Sequence, residues 1–175
     1  SDKVYDVSKN KIYNEKDDLS GKDPYSASKV CIEFLFSSYT NSFFSSQKNQ
    51  RLATVRAGNV IGGGDYSRDR LIPDVYAFLK KKNKIIIRSP NAVRPWQHVL
   101  EPLSGYLLLA EKIHSKKLLK ILPNWNFGPD IKNCKTVKYV SSYLAKNLKL
   151  KILNKNIKSK KYKPETKILR LNNLK

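Results

Sequence analysis

The sequence predicts an α/β fold, because segments with helical spacing of apolar residues alternate with short apolar runs. The 175 residues are 40% hydrophobic and 28% charged, which is typical of a globular chain of about one domain. No run of about 18 apolar residues is present, and the first residues lack the apolar centre of a signal peptide. Two cysteines cannot build a disulfide framework. We therefore expect no membrane partner and a cytoplasmic location.

Each predicted element follows from its local pattern. Residues 4–22 are polar and are expected to form a loop, and Pro24 suits the first turn of a helix that runs to about residue 44. We expect that helix to bury an apolar face made of Ala27, Val30, Cys31, Phe34, Leu35 and Tyr39. Further helices are predicted over 71–82, 101–115 and 137–148, and strands over 52–56, 85–88 and 125–127. The segment 89–94 is expected to be a loop, and 168–171 alternates weakly.

The charge balance is strongly basic. Lys and Arg number 35 against 14 acidic residues, so the formal net charge is +21. Such an excess raises nucleic acid as a partner. However, Lys outnumbers Arg by 28 to 7, whereas a phosphate-gripping surface would favour the bidentate Arg. We therefore do not expect nucleic-acid binding.

A tyrosine and a lysine four residues apart are the first candidate chemical group. On a helix, Tyr25 and Lys29 share one face about 6 Å apart along the axis. An ammonium near a phenol favours the phenolate, which can act as a general base toward a sugar hydroxyl. The same spacing recurs at Tyr5 and Tyr76, so the spacing alone indicates little. The proline before Tyr25 and the small residues 26–28 distinguish this pair.

Five longer strings occur in this order along the chain: SDKVYD, DPYSASK, ATVRAGNVIGGGDYSRDRLIPD, VRPWQHVLEPLSGYLLLAEK and WNFGP. On these strings the chain resembles the extended short-chain dehydrogenase/reductase family, and within it the nucleotide-sugar 4,6-dehydratases that act on CDP-glucose. The resemblance covers residues 1 to about 130. It implies part of a doubly wound Rossmann-type parallel sheet with a smaller substrate-binding region.

The resemblance implies roles for five catalytic positions and a cofactor, NAD. Tyr25 would take the proton from the 4-hydroxyl of glucose, and Lys29 would hold the nicotinamide ribose and tune Tyr25. Ser1 would hydrogen-bond the sugar 4-oxygen, and Asp2 would help water leave from carbon 6. Lys3 stands where related dTDP-glucose dehydratases carry Glu as the base toward carbon 5, and Lys there resembles the CDP-glucose group.

Three further positions match the family's contacts to the diphosphate of a nucleotide sugar. These are Asn59, Arg70 and Arg94, and arginine suits the task because its planar donors fit phosphate oxygens. The implied partner is CDP-glucose or a related nucleotide sugar. The resemblance also suggests a homodimer through the helix that bears Tyr25.

Two features depart from the family's pattern. The chain starts with Ser and has no Met, and it contains no Gly-rich turn that opens a helix after a strand. We therefore expect a piece of a longer enzyme: residues 1–60 from a dinucleotide-binding domain and 61–175 from a mixed substrate-binding region, with a Lys-rich tail from about 149. A related nucleotide-sugar epimerase and a non-catalytic remnant are the alternatives.

Overall fold

The computed structural model describes residues 1–9, 11–44, 52–81, 85–87, 89–115, 123–149, 152–154, 168 and 170–172. Four α-helices carry most of the regular structure in these residues: α1 (Pro24–Tyr39), α2 (Leu71–Lys81), α3 (Leu100–His114) and α4 (Val137–Leu148). A π-helical turn, Thr40–Phe44, continues α1, and 3₁₀ turns lie at Asp2–Val4, Val7–Lys9 and Ile131–Asn133. All four helices lie where the sequence predicted them.

Side-chain caps explain where two helices begin. The Asp23 carboxylate accepts the backbone N–H of Ser26 at 3.0 Å, and Pro24 occupies the first turn of α1. Thr136 caps α4 in the same way by accepting the N–H of Tyr139 at 3.0 Å. α4 ends at Lys149, which adopts a left-handed conformation with φ of 53°. These local signals make the helix positions readable from the sequence.

The described strands are short and form five pairs. The strands are β1 (Ile12–Tyr13), β2 (Thr54–Ala57), β3 (Val60–Ile61), β4 (Ile85–Ile87), β5 (Val93–Arg94), β6 (Gln97–His98), β7 (Asn124–Phe127), β8 (Lys135–Thr136), β9 (Ile152–Asn154) and β10 (Arg170–Leu171). Parallel pairs join β1 to β10, β2 to β7, β3 to β6 and β4 to β9, whereas β5 and β8 are antiparallel. Because parallel strands need helical crossovers, this pattern confirms the α/β class. The predicted boundary near residue 60 stays a prediction.

Two apolar clusters form the core of the described residues. The first contains Val4, Tyr5, Tyr13, Val30 and Leu171, with Leu19 packed against it. The second contains Val75 and Ile87, with partly buried side chains from α2 and α4 around them. A close approach of α3 to β7 adds to the packing, because a Cβ on Gly105 would lie 2.3 Å from the Phe127 ring.

The predicted burial of one face of α1 is wrong for most of its members. Val30 is buried, but Cys31 is exposed and Phe34 is 64% exposed. The helix instead turns a narrow face, which includes Ser26 and Val30, toward the 3₁₀ turn Asp2–Val4 and the first cluster. The outer side of α1 is therefore an uncovered apolar surface in the part of the chain that the structure describes.

Three smaller predictions also need correction. The loop predicted over 4–22 contains the short strand β1, the loop predicted over 89–94 contains β5, and the strand predicted over 52–56 spans Thr54–Ala57. These differences arise because two-residue strands depend on partners far along the chain rather than on a local pattern. Residues 82, 88 and 169 of three predicted segments lie outside the described residues, and so does most of the predicted Lys-rich tail. None of the described helices is long and apolar enough to cross a bilayer.

Candidate active site

A cleft of about 1050 Å³ brings most of the predicted site residues together. Its size is that of a small-molecule pocket. Seven of the eight predicted residues line the cleft, although they come from separate parts of the chain: Ser1, Asp2, Lys3, Tyr25, Asn59, Arg70 and Arg94. Lys29, the eighth, lies one helical turn beyond Tyr25.

The 3₁₀ turn at Asp2–Val4 presents the first three site residues. Ser1 caps the turn, with its hydroxyl oxygen accepting the N–H of Lys3 at 3.3 Å. Asp2 is only 4% exposed, and its Oδ2 atom has no hydrogen-bond partner among the described residues. Burial raises the pKa of Asp2 to about 6, against the opposing effect of Lys3, the Ser1 amine and Arg94. A carboxyl group in that range can donate a proton near neutral pH.

Tyr25 and Lys29 lie on the first two turns of α1. The Tyr25 side chain is 54% exposed, and the Lys29 Nζ atom lies 5.4 Å from the centroid of its ring. The Ser28 hydroxyl donates to the Tyr25 carbonyl at 2.7 Å. The cap at Asp23 fixes the turn from which Tyr25 projects. The predicted proximity of the phenol and the ammonium is therefore present.

The three residues predicted to contact a diphosphate occupy different depths of the cleft. The Asn59 carbonyl accepts the N–H of Gln97 at 3.0 Å, which ties the loop between β2 and β3 to β6. Arg94 is buried in the wall on β5, where one guanidinium nitrogen donates to the Val93 carbonyl at 2.9 Å. Arg70 lies at the exposed rim and donates to Asp65 at 3.1 Å.

Several residues of the cleft were not singled out from the sequence. The loop 62–70 contributes Asp65, Tyr66 and Asp69, α2 contributes Asp74, and Trp96 lies between β5 and β6. Tyr66 is 89% exposed, so its ring is free to meet a ligand at the mouth of the cleft. The string GGGDYSRDR carried this signal, because glycines, alternating charges and an aromatic residue are typical of a ligand-facing loop.

The residues present fit only part of a dinucleotide cofactor. The phenol of Tyr25 and the ammonium of Lys29 could hold the nicotinamide ribose. A dinucleotide phosphate is normally bound at a Gly-rich turn that opens directly into a helix. The seven glycines of the chain include none in that position, and the run at Gly62–Gly64 is separated from α2 by a further loop.

One family profile and two known sequences are similar to this chain. The profile of a family described as "NAD dependent epimerase/dehydratase family" matches residues 1–122. A CDP-glucose 4,6-dehydratase of Salmonella typhimurium is 48% identical over 132 residues, which are 73% of this chain and 36% of that protein. An uncharacterized protein of Schizosaccharomyces pombe is 29% identical over 175 residues, which are 88% of this chain and 46% of that protein. The chain thus spans less than half the length of either relative.

Comparison with solved structures confirms the fold. A dTDP-glucose 4,6-dehydratase from Bacillus anthracis, solved with NAD, has a TM-score of 0.75 at 20% identity over 99% of this chain and 51% of that one. A UDP-N-acetylglucosamine 4-epimerase from Methanobrevibacter ruminantium has a TM-score of 0.75 at 18% identity over 99% of this chain and 52% of that one. At these identities the likeness concerns the fold alone. The predicted partial Rossmann-type sheet is confirmed.

Proposed function

The chain belongs to the NAD dependent epimerase/dehydratase family, and from this premise we propose that it forms the substrate side of a nucleotide-sugar 4,6-dehydratase that acts on CDP-glucose. The observation that carries the proposal is the convergence of seven predicted site residues on one cleft. The 48% identity to a CDP-glucose 4,6-dehydratase supports the choice of sugar nucleotide. The proposed overall reaction converts CDP-glucose to CDP-4-keto-6-deoxyglucose and water.

The first proton transfer is assigned to Tyr25. Its phenol is half exposed at the cleft, and the Lys29 ammonium lies beside its ring. As a phenolate, Tyr25 accepts the proton of the sugar 4-hydroxyl. Ser1 orients that oxygen through a hydrogen bond. NAD, when bound, would accept the hydride from carbon 4 and return it to carbon 6, and Tyr25 and Lys29 are the residues here that would hold its nicotinamide ribose.

The loss of water is assigned to Asp2 and Lys3. The carbon 6 hydroxyl leaves as water once Asp2 donates its proton, and burial keeps that proton bound up to about pH 6. Lys3 is assigned as the base that accepts the proton from carbon 5 and returns it there at the end of the reaction. Both groups project from one 3₁₀ turn, so the acid and the base of the elimination are held at adjacent positions.

The diphosphate of the substrate is assigned to the two arginines and Asn59. Arg94 provides a buried positive charge in the wall, and Arg70 provides an exposed one at the rim. A charge-assisted hydrogen bond in a buried wall is stronger than one at a rim, because water competes less there. Arg94 is therefore the principal anchor. We assign the diphosphate of NAD to polypeptide other than residues 1–175.

The presence of Asp2 at the cleft supports a dehydratase rather than an epimerase as the proposed function. An epimerase of the same fold needs a base at carbon 4 but no acid that assists the departure of the carbon 6 hydroxyl. A buried carboxyl with a raised pKa, held at the cleft, is the group that the elimination requires.

We also propose that the intact enzyme is a homodimer that uses the outer face of α1. Ile32, Leu35 and Tyr39 are all exposed on that face and share helical spacing. An uncovered apolar stripe of this kind on a soluble domain is typical of an interface. Sedimentation velocity on the protein with and without Leu35→Glu tests this, since the charge should shift the protein toward monomer.

Titration calorimetry with CDP-glucose tests the proposal, because the substrate cleft lies within the described residues. We expect binding that is tighter than for UDP-glucose or dTDP-glucose and that weakens at least tenfold in Arg94→Ala. Arg68→Ala is the matched control, since Arg68 is exposed and does not line the cleft. Equal or tighter binding of dTDP-glucose would contradict the assignment of substrate, and so would an equal loss in both variants.

A further inference from the structure

A buried arginine lies beside the first core cluster, in contact with Tyr5. Arg56 on β2 is 1% exposed, yet its charge is paired: Nε and Nη2 donate to the two carboxylate oxygens of Glu33 at 2.8 and 3.0 Å. Its Nη1 atom donates to the Tyr5 hydroxyl at 2.8 Å and to the Glu15 carbonyl at 3.3 Å. A bidentate pair of this kind fixes orientation as well as distance.

Tyr5 extends the network from Arg56 to the next strand. Its hydroxyl donates to the Asn126 Oδ1 atom on β7 at 2.7 Å while it accepts the bond from Arg56. Its ring stacks on Tyr13 with centroids 5.1 Å apart, and the Arg56 guanidinium lies 5.1 Å from the Tyr5 centroid. Both hydrogen-bonding capacities of the hydroxyl are therefore used in a buried setting.

Three segments of this network lead directly to residues of the cleft. Tyr5 follows the 3₁₀ turn that presents Asp2 and Lys3. Glu33 lies one turn beyond Lys29 on α1, and Arg56 precedes the loop that contains Asn59. None of the three network residues Tyr5, Glu33 and Arg56 lines the cleft itself.

We propose that Tyr5, Arg56 and Glu33 are positioning residues that hold the 3₁₀ turn Asp2–Val4 at a fixed place relative to α1. The inference rests on the proposed function, because it concerns the spacing between the oxidation base on α1 and the elimination residues on the turn. The hydrogen bonds within the turn are long, at 3.3 Å for Val4 N to the Ser1 carbonyl and 3.4 Å for Tyr5 N to the Asp2 carbonyl. The turn is therefore held mainly from outside, by the Tyr5 side chain and by the backbone N–H of Ser20, which donates to the Val4 carbonyl at 2.7 Å.

The variant Tyr5→Phe tests the anchor, because it removes both hydroxyl hydrogen bonds and keeps the ring stack. Tyr13→Phe is the matched control: Tyr13 is equally buried and stacks on the same ring, but its hydroxyl donates to the Asp6 carbonyl outside the network. Arg56→Lys is a second variant that keeps the charge and loses the bidentate geometry.

The readout is the titration of the Asp2 carboxyl by carbon-detected NMR on the whole chain, together with amide exchange at Val4 and Tyr5. Asp2 is surrounded by the Lys3 ammonium, the Ser1 amine and the Arg94 guanidinium. A turn released from its anchor admits water, so in Tyr5→Phe we expect the Asp2 pKa to fall by about one unit toward its ordinary value. Exchange at the two amides should rise about tenfold. Arg56→Lys should move both quantities in the same direction, and Tyr13→Phe should move neither.

Turnover of CDP-glucose by the same variants, each made in the intact enzyme that supplies the site for the NAD diphosphate, separates this inference from the proposed function. We expect Tyr5→Phe to lower kcat about tenfold with KM changed less than twofold. The alkaline limb of its pH–rate profile should move to lower pH with the Asp2 pKa, because Asp2 must hold its proton to act as the acid. An intact enzyme that neither binds nor dehydrates CDP-glucose in unaltered form would overturn the proposed function and, with it, the catalytic meaning of the anchor. An unchanged Asp2 titration and unchanged exchange in Tyr5→Phe and Arg56→Lys would overturn the anchor itself, even in a protein that dehydrates CDP-glucose.

Discussion

Removing the negative partner of Arg56 should be among the most destabilising single changes in the protein. The Arg56 and Glu33 side chains are 2% and 9% exposed, so solvent screens their pairing little. Breaking a buried pair by removing one partner costs about 3–5 kcal/mol, because the other charge is left buried. Glu33→Gln keeps the shape of the side chain and one acceptor. We therefore expect the free energy of unfolding to fall by an amount at the lower end of that range, about 3 kcal/mol.

Replacing Glu33 and Arg56 together should lower the free energy of unfolding far less than the sum of the two single replacements. Replacing both residues in Glu33→Leu with Arg56→Met removes the buried charge together with its counter-charge. We expect the double variant to unfold within about 2 kcal/mol of the unaltered protein, well short of the sum of the single losses. Urea unfolding followed by tryptophan fluorescence measures five proteins: the unaltered one, Glu33→Gln, the two single variants Glu33→Leu and Arg56→Met, and the double variant. A loss below about 1 kcal/mol for Glu33→Gln, or strict additivity in the double variant, would refute the reasoning.

The pair of Arg56 and Glu33 should also make the free energy of unfolding depend on pH in the acidic range. Burial opposes ionisation of Glu33, but the hydrogen bonds and charge of Arg56 outweigh it, so the pKa of Glu33 lies below its ordinary value. A carboxylate with a lowered pKa in the folded state stabilises the protein above the pKa of the unfolded chain, about 4.3. That stabilisation should be lost as pH falls through the folded value, and it should be absent in Glu33→Gln.

Four further changes have expected outcomes. Tyr25→Phe should lower turnover by about 100- to 10,000-fold while calorimetry shows nucleotide-sugar binding nearly unchanged, and full activity would mean that another group is the base. Arg94→Ala should raise KM through the loss of a charge-assisted bond of about 1.5–3 kcal/mol, and an effect on kcat alone would contradict its role as an anchor. The Asp2 pKa of about 6 exceeds its ordinary 3.8, so the stability that Asp2 contributes should be fully present below about pH 4 and be lost, by about 3 kcal/mol, as pH rises through 6. Urea midpoints in Asp2→Asn should lack this slope, and an identical slope would assign it elsewhere. Gly105→Ala should lower the unfolding free energy by about 1–3 kcal/mol, because a Cβ would lie 2.3 Å from the Phe127 ring, and an unchanged melting temperature would show that the ring can move.

The helices could be predicted from the sequence because their signals are local. α4 spans Val137–Leu148, the range that its apolar spacing predicted, and its cap Thr136 directly precedes it. The two-residue strands β5 and β8 could not be predicted in the same way. Their pairing joins Val93 to Thr136, and nothing near either residue marks it.

The positions of the site residues could be predicted, but not the support behind them. The strings around Tyr25 and Arg94 indicated a site, and the fold brings both to one cleft. The burial of Arg56 was missed because arginine is rarely found fully buried unless it is paired. Its partners, Glu33 and Tyr5, lie 23 and 51 residues away, so no sequence spacing indicates the pairing. Cys31 was predicted to be buried because it lies on an apolar face, but it is the outward face.

The pairing of β1 with β10 has a consequence for the order of events during folding. Tyr13 lies beside Leu171 in that pair, and the hydroxyl of Tyr5 reaches Asn126, 121 residues further along the chain. Contacts this distant are closed late, because loop closure is costly until most of the intervening chain is compact. On the ribosome, helices such as α1 can form as they emerge, whereas the packing of Tyr13 against Leu171 must wait for the synthesis of Leu171. The apolar cluster behind the turn that presents Asp2 is therefore completed by one of the last steps of folding.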